Sequence, residues 1–213
     1  MVDPLDALAA LTDPTRRRAY DYVSAQGDAV GRDEVANALG IGRTLAAYHL
    51  DRLADAGLLS IGFGRRSGRT GPGAGRPAKL YERSGRELTV SAPPRDYGLA
   101  ARLLAHAAAS DSGGQTRQAL RDAAEALGRE IAAGARDAAD LETLLRGRGY
   151  EPYEDEPGVV RLRNCPFDAV AQTHPEVVCD MNLSLLGALL ADRGSEAVLE
   201  PAPGRCCVAI RTP

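Results

Sequence analysis

Four cysteines, Cys165, Cys179, Cys206 and Cys207, carry the most specific chemistry in this chain, and the 164 residues before them contain none. Their spacing is Cys-x13-Cys-x26-Cys-Cys. It lacks the Cys-x2-Cys pair of a zinc ribbon or a thioredoxin-like redox site. Each thiol falls beside an element end or tight turn, where free backbone N–H groups bond sulfur or neutralise an anion. A helix N-terminus also lowers a thiol pKa, and the thiolate is the form that binds metal. Thiolates gathered from distant elements suit an iron–sulfur cluster, which is larger than a single ion. Cys206 and Cys207, read as neighbours on one strand, point to opposite faces, which leaves three ligands. The competing reading is four small buried hydrophobes, and spacing alone leaves both open. Catalysis is not expected: a Cys nucleophile with His174 as base would lack a third, orienting group.

The elements that must position these thiols follow from local signals. Tyr150–Glu154 and Val159–Arg163 read as a hairpin across Glu156-Pro157-Gly158, and Cys165 follows its second strand. A helix begins near Phe167, and a second starts at Pro175, carries Cys179 early and runs to Ala191. Ala197–Glu200 and Cys206–Ile210 read as a closing hairpin, so this last unit is β-β-α-β-β. Before it, residues 97–148 are Ala-rich and helical, split by Asp111-Ser112-Gly113-Gly114. Leu99, Leu103 and Leu104 form one apolar stripe there, which fits a dimer interface or an intramolecular bundle equally.

The first 90 residues differ in charge. They carry a formal +2, whereas residues 91–213 carry −5 within a total of −3. Seven bases (Arg65, Arg66, Arg69, Arg76, Lys79, Arg83 and Arg86) face two acids between Ser60 and Val90. A basic segment inside an acidic protein signals phosphate binding, against the bland reading of a solvated loop. Aromatics make up 4% and Trp is absent, which disfavours a base-stacking RNA platform. Asp13-Pro14 restarts a helix within residues 5–25. A short helix over Asp33–Leu39, the turn Gly40-Ile41-Gly42, and a helix over Arg43–Ala56 with Ala46, Leu50 and Leu53 inward come next. A strand over Leu58–Phe63, the Gly/Arg/Pro loop 64–77 and a strand over Ala78–Arg83 complete the order of a winged helix-turn-helix. Its recognition helix presents Arg43, Thr44, Ala47, Tyr48 and Asp51 toward a major groove. The basic hairpin, with Arg65, Arg66, Arg69, Arg76 and Lys79, lies along phosphates. His49, beside the inward stripe, reads as a packed histidine.

Asp13-Pro14-Thr15-Arg16-Arg17, Tyr48-His49-Leu50-Asp51-Arg52-Leu53 and Ala56-Gly57-Leu58-Leu59 resemble the ArsR-type winged-helix regulators over residues 5 to about 85. The metal-binding Cys pair of their recognition helix is absent. A second resemblance spans essentially the whole chain. Gly75-Arg76-Pro77-Ala78-Lys79-Leu80-Tyr81, Asn164-Cys165-Pro166-Phe167, His174-Pro175, Cys179 and Pro203-Gly204-Arg205-Cys206-Cys207 resemble the SufR-type iron–sulfur regulators of bacteria. That resemblance implies a [4Fe-4S] cluster held by Cys165, Cys179 and Cys206, with Cys207 an alternate for Cys206. It also implies a homodimer on an inverted-repeat DNA operator, controlling cluster-assembly genes. The interval between Cys165 and Cys179 departs from the family, where it can be one residue shorter. No fourth protein ligand is obvious; Glu176, Asp180 and His174 lie near in sequence.

These readings converge on an α+β protein. Residues 1–90 form a winged helix-turn-helix, and residues 91–213 a helical dimerisation region with a small Cys-containing α+β sensor. The expected function is a cytoplasmic repressor, without small-molecule substrate or membrane association. The alternative keeps the DNA-binding half and lets the thiols sense oxidant or a transition metal directly.

Overall fold

The computed structural model describes residues 3–64, 77–90, 96–135 and 140–213. The fold is α+β, with two separate antiparallel sheets. The chain divides into two units, Met1–Arg95 and Asp96–Pro213. Among the described residues no helix is long and apolar enough to cross a membrane.

In the first unit, carboxylates begin the first two helices. Asp3 accepts a hydrogen bond from the Leu5 N–H at the start of α1 (Pro4–Ala9), which ends in a 3-10 turn, Ala10–Thr12. Asp13 then accepts from the Arg16 N–H at 2.9 Å, and Pro14 opens α2 (Pro14–Ala25). Both acids fill orphan donors of a first turn, where proline lacks no needed N–H. A two-residue strand absent from the sequence reading, β1 (Val30–Gly31), precedes α3 (Arg32–Leu39). Gly40 takes φ +68°, a conformation costly to any residue with a Cβ, and so ends α3 and permits the tight turn into α4 (Arg43–Asp55). Ala46, His49, Leu50 and Leu53 form the buried stripe of α4. β2 (Leu59–Gly64) and β3 (Ala78–Arg83) pair from Leu59↔Arg83 to Gly64↔Ala78, and the sheet order is β1-β3-β2. Val23, Val35, Leu50, Leu53 and Tyr81 fill the core between helices and sheet.

The second unit begins with α5 (Tyr97–Ser110), capped by Asp96, and α6 (Gln115–Gly134). Asp111 accepts from the N–H groups of Gly113 and Thr116 and so shapes the break between them. A separate helix, α7 (Leu141–Arg146), is capped by Asp140. β4 (Pro152–Glu156) and β5 (Val159–Leu162) turn at Gly158; α8 (Asp168–Ala171), α9 (Pro175–Leu190), β6 (Glu196–Leu199) and β7 (Val208–Arg211) follow. The sheet runs β4-β5-β7-β6, all antiparallel, with Val159↔Arg211 and Leu199↔Val208 fixing its register. Leu145, Leu162, Leu186, Leu190 and Ile210 are fully buried in its core. α6 packs closely on α9 at Gly128, where a Cβ would lie 2.9 Å from the Ala188 Cβ and 3.1 Å from the Leu189 N. Arg121 of α6 pairs with Asp180 of α9 at 2.5 Å. α5 buries only Ala105 and Ala108, and leaves Leu99, Leu103 and Leu104 exposed.

Candidate metal centre and nucleic-acid face

The end of β5, the first turns of α9 and the entry to β7 deliver the four thiols of the second unit. After β5, the Asn164 side-chain amide donates to the Gly149 carbonyl at 2.6 Å and holds the turn that presents Cys165. The Phe167 N–H donates to the Cys165 sulfur. Cys179 lies on the second turn of α9, behind Pro175 at its first position. The Cys206 N–H donates to the Leu162 carbonyl at 2.9 Å, and the Cys207 carbonyl accepts from the Glu200 N–H at 2.8 Å. These backbone bonds anchor the cysteine pair at the sheet end.

Cys206 and Cys207 precede β7, which starts at Val208; they do not stand on it. The alternation expected of a strand therefore does not govern them. The loop from Pro201 must turn over Gly204, at φ +72°, before pairing resumes. In that bend Cys206 contacts both Cys165 and Cys207, and Cys207 also contacts Cys179. The thiols are thus linked pairwise in the order Cys165, Cys206, Cys207, Cys179, and Cys207 belongs to the set beside Cys206. Among the described residues no three His, Cys, Asp or Glu side chains are arranged to hold one metal ion.

The electrostatics single out one sulfur. Hydrogen bonds from Cys165 and Cys207, the Val208 N–H and the Asn182 amide hold the Cys206 thiol far below its ordinary value against the opposing effect of burial. Cys165 and Cys207 are pushed up, first because each donates to Cys206 and then by burial. The three thiols therefore titrate as a coupled set, in which the surrounding donors favour the charged form at Cys206. Tyr150 is pushed up by burial and by the neighbouring Cys165, Cys206 and Cys207, so it stays a neutral donor.

Two residues of this site escaped the sequence reading. Tyr150 donates to the Asn182 Oδ1 at 2.5 Å, and the Asn182 Nδ2 donates to the Cys206 Sγ at 3.3 Å. The legible signal was an Asn three residues past Cys179 on the same helix face, where a buried amide needs partners. Of the other sequence neighbours, Asp180 is engaged by Arg121. His174 lies 3.9 Å from Glu176 through Nδ1, and its ring tilts against His106 at 5.7 Å between centroids.

In the first unit, Arg43, Thr44 and Tyr48 are exposed along the N-terminal half of α4, and Ala47 is half-buried. Arg43 pairs with Asp33 of α3 at 2.6 Å. Lys79, expected on phosphate, is ion-paired with Asp51 of α4, and the Tyr81 hydroxyl donates to the same Asp51 oxygen at 2.8 Å. Lys79 and Tyr81 share one face of β3, as period-two alternation requires, so a carboxylate on α4 meets both. Burial pushes Asp51 up, but Lys79 and Tyr81 outweigh it and hold the carboxyl below its ordinary value. His49 is buried, as expected of a packed histidine. Arg65, Arg66, Arg69 and Arg76 lie outside the described residues.

No family model, no curated protein and no solved structure matches the chain.

Proposed function

We propose that the chain is a DNA-binding transcriptional regulator, a repressor, whose C-terminal thiols hold a [4Fe-4S] cluster. The observation that carries this reading is the gathering of Cys165, Cys179 and the adjacent pair Cys206-Cys207, from three separate segments, at one end of a small sheet. Four soft donors, backbone N–H groups aimed at two sulfurs and the Asn182 amide donating to Cys206 fit an iron–sulfur group by donor chemistry. Cys165, Cys179 and Cys206 are the ligands this reading assigns, with Cys207, in contact with Cys206, the alternate for it. When bound, the cluster supplies reversible one-electron chemistry and sensitivity to oxidants. Such a group would take these cysteines as thiolates, which makes its binding dependent on pH.

The first unit supports the DNA-binding half. α3, a three-residue turn, α4 and the β2–β3 hairpin follow the order of a winged helix-turn-helix. Arg43, Thr44 and Tyr48 face outward on α4 for groove contacts. Half-site readers usually pair, and the exposed Leu99, Leu103 and Leu104 of α5 offer a second copy an apolar face. The reading is of a cytoplasmic homodimer on an inverted repeat, controlling cluster-assembly genes, with thiols kept reduced by the compartment and no catalytic step. A second reading makes the thiols themselves the sensor of oxidant or a transition metal. The direct contact of Cys206 with Cys165 and Cys207 favours it.

Anaerobic purification with iron and sulfide assays separates the two. The expected result is about four iron and four sulfide per chain, the content of a cubane cluster. Loss of both is expected in Cys165→Ser, Cys179→Ser and Cys206→Ser. Selection from a random duplex pool, with loaded and apo protein, tests the DNA half: the loaded dimer is expected to enrich an inverted repeat. A colourless chain that cannot be reconstituted would overturn the cluster reading and leave the DNA-binding one standing.

A further inference from the structure

Asn182 and Tyr150 are buried polar side chains that the thiol chemistry does not itself require. Asn182 is fully buried on α9 and Tyr150 is 3% exposed. A buried amide or hydroxyl without a partner costs stability, so groups in such positions are held by hydrogen bonds. Here the bonds run in one direction. The Tyr150 hydroxyl donates to Asn182 Oδ1, which fixes which end of the amide faces which neighbour, and the Nδ2 end is thereby left to donate to the Cys206 sulfur. Asn182 lies three residues beyond Cys179, so α9 brings one thiol and a donor to another from the same helix face.

We propose that Asn182, oriented by Tyr150, is a positioning residue for the metal centre: its amide N–H directs the Cys206 sulfur and withdraws electron density from it. This rests on the cluster reading given above. Hydrogen bonds to cysteinate sulfurs are among the controls of cluster potential. A reduced cluster carries one more negative charge than an oxidised one, so a donor at its sulfur favours the reduced form. The relay therefore raises the reduction potential, and the chain uses it to set the conditions under which the cluster changes state.

The test compares wild type, Tyr150→Phe, Asn182→Leu and the double variant Tyr150→Phe/Asn182→Leu as full-length, anaerobically loaded protein. Asn182→Leu alone orphans the Tyr150 hydroxyl and is expected to lower the melting temperature. The double variant replaces both partners with apolar groups and is expected to recover much of that loss. The potential behaves differently. Without the amide donor the reduction equilibrium shifts about tenfold toward the oxidised form, about 59 mV for one electron, in Asn182→Leu and in the double variant alike. Tyr150→Phe shifts it less, because the donor is present but unlocked. A double variant that regains stability and also regains the wild-type potential would show a merely structural role and overturn the inference. A loaded wild type with potentials unchanged in every variant would overturn it while the cluster reading stands. A wild type without iron and sulfide would overturn both together.

Discussion

Cys206 and Asp51 show how one neighbour sets the behaviour of one side chain. Cys206 is 3% exposed, yet thiol, backbone and amide donors surround its sulfur and favour the charged form. Replacement by Ser keeps the size but supplies a hard, poorly ionising oxygen. Cys206→Ser is therefore expected to remove the visible absorption of the loaded protein. Cys207→Ser is expected to leave part of it, which a spectrum normalised to iron content measures. At Asp51 the sign follows from the lowered pKa. A carboxyl that is more acidic folded than unfolded stabilises the fold above its ordinary value near 3.8, and that contribution disappears as pH falls through the folded pKa. The side chain is 46% exposed, so solvent screening limits the effect to less than about 1 kcal/mol. Asp51→Asn is expected to melt lower than wild type at pH 7, with the gap closing as pH falls through the lowered folded pKa of Asp51. A gap independent of pH would show that packing, and not charge, joins β3 to α4.

At the scale of elements, the α6–α9 contact decides where Cys179 stands. Gly128 lets the two helices approach until the space a Cβ needs is occupied by the α9 backbone, including the Leu185 carbonyl. Backbone cannot rotate away as a flexible side chain does. Gly128→Ala is expected to destabilise the second unit by about 1–3 kcal/mol, read from urea denaturation. Gly187, on α9, has open space where a Cβ would stand, so Gly187→Ala is the control and is expected to be neutral or mildly stabilising. Helix starts and stops were the most legible part of the sequence. Asp13-Pro14, Gly40 and Gly57 act through bonds and dihedrals only a few residues long. The entry to β7 was not legible in that way. Val208–Ile210 reads as a strand and the two cysteines extend the apolar run backward, but the turn at Gly204 consumes them.

For the whole molecule, association is the testable property. Leu103 and Leu104 are 63% and 72% exposed on a helix that otherwise buries little. Leu103→Glu/Leu104→Glu is expected to convert a dimer to a monomer in sedimentation, with the melting temperature little changed. DNA affinity is expected to fall steeply with salt. Replacing Arg65, Arg66, Arg69 and Arg76 with Ala is expected to flatten the log–log slope by about 0.9 for each phosphate contact removed. An unchanged slope would exclude these four arginines from the proposed DNA contact. Lys79 is a weaker candidate for such a contact than its charge implied, because Asp51 already neutralises it.

The sequence by itself determined where the helices begin and turn and which face of α4 is apolar. It also determined that soft donors are confined to the last part of the chain and that bases cluster near the β2–β3 hairpin. Those properties follow from consecutive residues: a cap, a left-handed glycine, a period of 3.6 or two, a local charge count. Only the tertiary structure decided that Cys207 joins the other thiols, that Tyr150 locks Asn182 onto Cys206, and that Asp51 claims Lys79. Each of these contacts joins residues 24 to 32 positions apart or lies in a bend set by such contacts. Chain-local propensity carries no information about partners at that separation, because they meet only when burial of the core brings their elements together.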